Sequence, residues 1–162
     1  MFPDNLGGIP VAAAIEAAEP GAVLGGGLAY GESNLEVRAD KLVAVCFFLK
    51  NSEQFTRLAD LTAVDWQPRE PRFEVIYHLH SLDKNQRLRI KCRLPEAAAE
   101  VDSVTSVWRS ANWHEREVFD LFGIVFRGHP NLRRIMLPED WEGHPLRKDY
   151  PVHGYRYSYK DE

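Results

Sequence analysis

His114, His129 and His144 stand at fifteen-residue intervals, and three carboxylates, Glu115, Glu117 and Asp120, crowd in just after the first of them. Imidazoles can ligate a metal or move a proton, and neighbouring carboxylates can do general acid–base work. A metal would need the three rings to converge, each oriented by a second partner. No HxxxH pair is present, and two of the histidines sit in Gly-His-Pro triplets at 128–130 and 143–145. Such triplets read as turns, since Gly supplies free dihedrals and Pro fixes one. A catalytic carboxyl needs burial or crowding to shift its pKa, and nothing in the spacing shows either. The nearby Arg116, Arg133 and Arg134 point instead to an ion-pair network, because guanidinium forks hold carboxylates bidentately and fix the geometry of a contact surface.

Other sources of chemistry are weaker. No Ser or Cys occupies a nucleophile elbow, which counts against a small hydrolase built on the Gly-His-Pro histidines. The run GAVLGGGLAYGE lacks the Lys-Ser/Thr of a phosphate loop, so it reads as a flexible linker. Cys46 and Cys92 belong to no ligand spacing and are expected to be buried free thiols. An iron–sulfur cluster usually takes four cysteines.

The 162 residues suit one domain, with 44% hydrophobic and 27% charged residues. A net charge of −4 argues against a general nucleic-acid binder. The longest apolar run, Leu42 to Leu49, is too short to span a bilayer, so membrane contact is expected only through partner chains. Asp4 and Glu16 with no basic start argue against a secretory signal, and an intracellular location is expected.

The elements that must position these groups follow from periodicity. Residues 10–19 form a short helix between Pro10 and Pro20. Leu35 to Arg38 alternate as a strand. Asp40 caps a helix whose Leu42, Val45, Cys46 and Leu49 share one face, widened by Val43 and Phe47. A strand runs from Leu58 to Trp66. Phe73, Val75, Tyr77 and Leu79 then alternate with Glu74, Ile76, His78 and His80. Beyond a turn at 81–85, Leu88, Ile90, Cys92 and Leu94 alternate with Arg87, Arg89, Lys91 and Arg93. This is an antiparallel hairpin with one apolar face. Its four-residue basic row is either a solvated face balanced by carboxylates or a docking surface for an acidic partner. After Pro95 a helical or irregular stretch leads to a helix that Asn112 caps, with Glu115 reaching back as in a capping box. Arg116 and Asp120 form an exposed i,i+4 pair, and Gly123 ends the helix.

The stretch 113–151 resembles the signature of the C subunits of NADH:quinone oxidoreductases, the 30 kDa-type subunit family of respiratory complex I. Glu115-Arg116-Glu117, Asp120, Leu121-Phe122, His129, Arg133 and Ile135-Met136 fill its places in order. Leu137 to Pro151, LPEDWEGHPLRKDYP, with Trp141, Arg147, Lys148, Asp149 and Tyr150, is similar to the family too, as are Leu61 to Asp65 and Arg72 to His78. The resemblance runs from about residue 34 to 151. It implies a single α/β (α+β) domain at 34–151 with a mixed sheet and helices on one face; composition adds a helix and linker before it (1–33) and a docking arm after it (152–162). It implies a non-catalytic scaffold in the peripheral arm of a proton-translocating complex that moves electrons from NADH through FMN and Fe-S centres to quinone. Such a scaffold is expected to bind no flavin, cluster or metal itself. Its expected partners are the other hydrophilic-arm subunits, above all subunits B, D and I, of which D helps form the quinone site. Its expected place is the cytoplasmic face of a bacterial inner membrane. Since some relatives fuse this domain to the quinone-site subunit, a chain ending at Glu162 is expected to be the separate form. A matching subunit of a membrane-bound hydrogenase or ferredoxin-type complex would share the fold. Within the family reading, Glu115, Arg116, Glu117, Asp120, His129, Arg133, Arg134, Trp141, Arg147, Lys148, Asp149 and Tyr150 are the expected interface. The tail from Asp149 to Glu162 carries four tyrosines, which suits an extended arm that orders on a partner.

Overall fold

The computed structural model describes residue 6 and residues 8–155. In order along the chain come α1 (Pro10–Ala18), β1 (Val23–Ala29), β2 (Glu32–Val37), α2 (Leu42–Asn51), β3 (Arg57–Asp65), β4 (Phe73–Ser81), β5 (Gln86–Leu94), β6 (Glu100–Asp102), α3 (Ala111–Phe122) and β7 (Val125–Arg127). Five strands make one sheet in the order β1-β2-β5-β4-β3, and β6 and β7 pair separately in parallel. Within the large sheet only β2 and β5 run parallel. The fold is therefore the expected mixed-sheet α/β domain.

The period-two alternation of β4 and β5 becomes two faces. Phe73, Val75, Tyr77, Leu79, Leu88, Ile90, Cys92 and Leu94 are all buried. Against them lie Ala12 and Ile15 of α1, Leu42, Val45, Cys46 and Leu49 of α2, and Val118 and Phe122 of α3. Both cysteines are free thiols in this core. Burial pushes the Cys92 thiol up to about 12 and the Cys46 thiol higher still, so neither is a ready nucleophile or ligand.

The opposite face carries the basic row, already paired within the chain. Arg87 and Arg89 reach Glu32, Lys91 and Arg93 reach Glu74, and Arg93 also approaches Glu36. That favours the balanced, solvated reading.

Three local expectations are corrected. The glycine-rich stretch is not a linker: it is strand β1. A Cβ on Gly26 would collide with the Asn34 carbonyl oxygen, so the strand needs glycine to approach β2, and a bulge falls between Val23 and Gly25. Asp40 does not cap α2: it pairs with Arg38 at 2.7 Å, and a single 3-10 turn, Ala39–Lys41, leads into the helix. Phe47 is largely exposed rather than part of the buried face. The last seven residues of the expected docking arm, 156–162, lie outside the described residues.

Candidate functional site

Helix α3 and the segment after β7 hold nearly all of the charged signature. From Gly128 to Tyr150 the chain has no regular secondary structure, yet it tracks α3 from its first turn to its last. His129 Nε2 lies 3.1 Å from the Asn112 carbonyl. One turn on, Arg116 donates to the Arg133 and Arg134 carbonyls at 3.1 and 3.0 Å. Further along, Leu146 N donates to the Leu121 carbonyl at 3.0 Å and Arg147 Nε to that of Phe122 at 2.6 Å. We call this segment the strap.

Asp120 is its main fastening. One carboxylate oxygen accepts the backbone N–H groups of Ile135, Met136 and Leu137 at 2.7–2.9 Å. The other accepts Arg134 at 2.6 Å. Arg134 also reaches the carbonyls of Asp120, Trp141 and Gly143. Burial works against the charge on Asp120, but these donors outweigh it and hold the pKa below the usual carboxylate value. The strap thus also satisfies the last carbonyls of α3, which every helix leaves without an internal partner. Arg134 and Arg147 bring positive charge to the helix C-terminus, where it is favoured. Gly123 is required twice over: its φ is +73°, and a Cβ there would lie 2.6 Å from the His144 ring.

A second fastening closes the far end. Arg72 is buried and grips Asp65 bidentately at 3.0 and 2.8 Å, Asp149 at 2.7 Å, and Glu96. Asp65 also accepts Lys148 N at 2.8 Å. Burial would raise the Asp65 pKa, yet Arg72 and the amides of Lys148 and Gln67 bring it down to about 2. The guanidinium carbons of Arg72 and Arg147 both lie within about 5 Å of the Phe73 ring centre. Tyr150 packs beside Gly143 and against Tyr155.

Glu115 does something different. It is fully buried, accepts Ser103 Oγ at 2.6 Å and Val104 N at 2.8 Å, and forms no ion pair with any described residue. Burial pushes its pKa up to about 7 against those two bonds.

The structure therefore splits the signature. Glu115, Arg116, Asp120 and Arg134 face inward; Glu117 and Arg133 are exposed. The capping box is corrected, because Glu115 points away from the helix start into the β6–α3 turn. The exposed Arg116–Asp120 pair is corrected too: both are buried and each binds the strap instead. Of the expected ion-pair network only Asp120–Arg134 forms. The three histidines do not converge. His129 and His144 bond helix carbonyls eight residues apart, about 12 Å along the axis, and His114 faces Asp60 at 3.5 Å. Sequence reasoning passed over Arg72 and Asp65 as site residues. Their signal was a charged residue at each of two neighbouring strand ends, Asp65 closing β3 and Arg72 just before β4.

Glu117 shares an outward face with Trp113, which is 63% exposed; Arg116 stacks over that indole at 5.4 Å. Arg133 and Met136, the latter 63% exposed, stand on the strap alongside. Neither the Glu117 nor the Arg133 side chain has a hydrogen bond or ion pair with a described residue.

Residues 35–156 match the family described as the respiratory-chain NADH dehydrogenase, 30 Kd subunit. The C subunit of the NADH-quinone oxidoreductase of Geobacter metallireducens is 50% identical over 125 residues, 76% of this chain and 77% of that protein. The C 2 subunit of the NADH-quinone oxidoreductase of Rhizobium etli is 52% identical over 132 residues, 80% of this chain and 70% of that protein. Among solved structures, the trypsin-resistant fragment (1–134) of Nqo5 superposes with a TM-score of 0.59 at 36% identity, over 63% of this chain and 83% of the fragment. A chain of the membrane-bound sulfane sulfur reductase, an archaeal respiratory membrane complex, gives 0.77 at 28% identity, over 90% of this chain and 86% of that one. With a strap that fastens the same signature the sequence displays, the chain belongs to the family of the 30 kDa subunit of the respiratory-chain NADH dehydrogenase.

Proposed function

We propose that the chain is a scaffold subunit in the peripheral arm of a proton-translocating NADH:quinone oxidoreductase, with no catalytic residue of its own. The observation that carries the second half is the state of the two buried signature carboxylates. Both oxygens of Asp120 are taken up by donors from the strap, and Glu115 is closed inside the fold. Neither residue reaches the surface, where a reacting group could sit. In this reading FMN, Fe-S clusters and quinone are held by other subunits, which suits two thiols buried in the apolar core. The outward face of α3 and the strap, with Trp113, Glu117, Arg133 and Met136, is the contact surface. An exposed Trp beside Met and Arg has the make-up of a binding hot spot. Its partners are the quinone-site subunit and the hydrophilic-arm subunits beside it. The chain sits at the cytoplasmic face of a bacterial inner membrane and meets the membrane through them. No helix among the described residues is long and apolar enough to cross a membrane.

The likeness to the sulfane sulfur reductase chain keeps one second reading open: the matching subunit of a related membrane-bound complex. The higher identity to the NADH-quinone oxidoreductase subunits favours the first. Affinity purification of the tagged chain from its own membranes separates the two. Co-purified flavin with NADH–quinone activity is expected; a complex that reduces sulfur compounds or evolves hydrogen, without NADH oxidation, overturns the proposal.

A further inference from the structure

Away from the strap face, one cleft is lined by charges of a single sign. It measures about 700 Å³ and lies where the start of β3 meets the turn before α3. Its floor is apolar, made by Leu58 and Trp108, and the exposed Leu82 stands at its edge. Four basic side chains line it, Lys50, Arg57, Arg109 and His114, and no Asp or Glu does. Lys50 donates to the Val107 carbonyl, a partner with no charge of its own. His114 leans on Asp60, outside the lining. Arg57 and Arg109 are exposed and have no side-chain hydrogen bond or ion pair with a described residue.

The whole chain carries a net charge of −4, and the cations of the surfaces nearby are matched by carboxylates. In the neighbouring cleft on the open sheet face, Arg87 and Arg89 both reach Glu32. Lys84 holds Glu53, and Arg127 holds Glu100 and Asp102. Unmatched cations gathered over an apolar floor, on a chain of net negative charge, suit an anionic, partly apolar occupant.

The geometry points to this cleft as a second docking site, which takes an acidic segment of a neighbouring protein chain. Carboxylates of that segment pair with Arg57 and Arg109, and an apolar side chain beside them covers Leu58 and Trp108. Guanidinium forks suit carboxylates in particular. The site goes beyond the proposed function: it is a different surface from the Trp113 face and makes no use of the signature carboxylates.

The test uses the assembled complex carrying Arg57→Glu/Arg109→Glu in this chain, with Arg57→Lys/Arg109→Lys as the conservative partner. Reversal is expected to lower the abundance of assembled complex on a native gel at least tenfold. The thermal midpoint of the isolated chain should not move, because neither arginine supports the fold. The lysine variant should assemble as the unaltered chain does. Its new amines should also form zero-length carbodiimide cross-links to Asp or Glu of another subunit. Normal assembly of the reversed variant, or lysines at 57 and 109 that form no such cross-link, overturns the proposal. Sedimentation of the isolated chain with phosphatidylglycerol vesicles, lost on reversal while assembly stays normal, would assign the cleft to an anionic membrane surface and also overturn it. A Trp113→Ala variant, which touches only the strap face, tells failure here from failure of the scaffold reading.

Discussion

The sheet core and the strap are held together by opposite means. In the core, the inner faces of five strands and three helices bury large apolar side chains such as Tyr77, Phe73, Leu49 and Ile15. Many small dispersion and transfer terms add there, and no single one is decisive. The strap has no ladder and little apolar burial: Met136 and Leu146 are exposed. It is kept on α3 by Asp120, Arg134, Arg116 and, at the far end, Arg72. The lesson is one of distribution. A core spreads its stabilisation over dozens of contacts, whereas the strap concentrates it in two charged nodes, so single polar substitutions there should release a whole segment.

The largest effect should come from Asp120→Ala. It strands the partly buried Arg134 and leaves three backbone N–H groups without an acceptor. Removing one member of such a buried pair costs ~3–5 kcal/mol. Hydrogen exchange at Ile135, Met136 and Leu137 should rise sharply while exchange in β4 and β5 stays slow. Uniform acceleration across both regions would mean that strap and core form one cooperative unit, and the contrast would fail. Ile90→Ala is the matching cut in the core. Deleting a buried aliphatic side chain costs ~2–5 kcal/mol, and here protection should fall everywhere through global unfolding, with no preference for residues 135–137.

Acid and base should separate the regions as well. The Asp65 pKa is about 2 against 3.8 for the free group. A lowered acid contributes stability above its ordinary pKa and loses it as pH falls through the folded value. The strap end should therefore loosen between about pH 4 and pH 2, with about 2 kcal/mol at stake. Glu115 has the reverse sign: its pKa is about 7 against 4.5. Its contribution is fully present below about pH 4.5 and declines as pH rises to 7, by about 3 kcal/mol at most. Chemical denaturation of Glu115→Gln should show a flatter stability profile between pH 5 and 7 than the unaltered chain. An unchanged profile would show that Glu115 is ionised and solvated in the folded state.

How much of this was legible beforehand follows the same division. The period-two hairpin at 73–94 and the helix face of Leu42, Val45, Cys46 and Leu49 could be read residue by residue, because burial obeys the period of the element. Gly123 could be read as a helix end because a positive φ has few other solutions. The strap anchors could not. Asp120 lies four residues from Arg116, so local spacing suggested a helix-surface pair, whereas its actual partners are fourteen to seventeen residues away across a turn. Arg72 and Asp149 are seventy-seven residues apart. Tertiary partnerships of charged groups leave no periodic trace. The glycine run at β1 failed for another reason: glycine marks both flexibility and close approach, and only the Asn34 carbonyl beside Gly26 decides between them.

The smallest effect on the fold should come from the two signature residues that face outward. Glu117 and Arg133 are exposed, and neither has a side-chain partner among the described residues. Surface changes of that kind alter stability by no more than about 0.5 kcal/mol. Glu117→Gln and Arg133→Ala should therefore leave the unfolding midpoint of the isolated chain where it was, and leave exchange at residues 135–137 slow. If the Trp113 face meets a partner subunit, however, both side chains become desolvated on assembly, and losing one strands its counterpart across the interface. The abundance of assembled complex should fall for both variants, and turnover per assembled complex should not. A drop in turnover at normal abundance would instead make Glu117 part of a reaction path. A drop in chain stability would place Glu117 or Arg133 among the internal anchors, beside Asp120, and erase the division between the inward and outward halves of the signature.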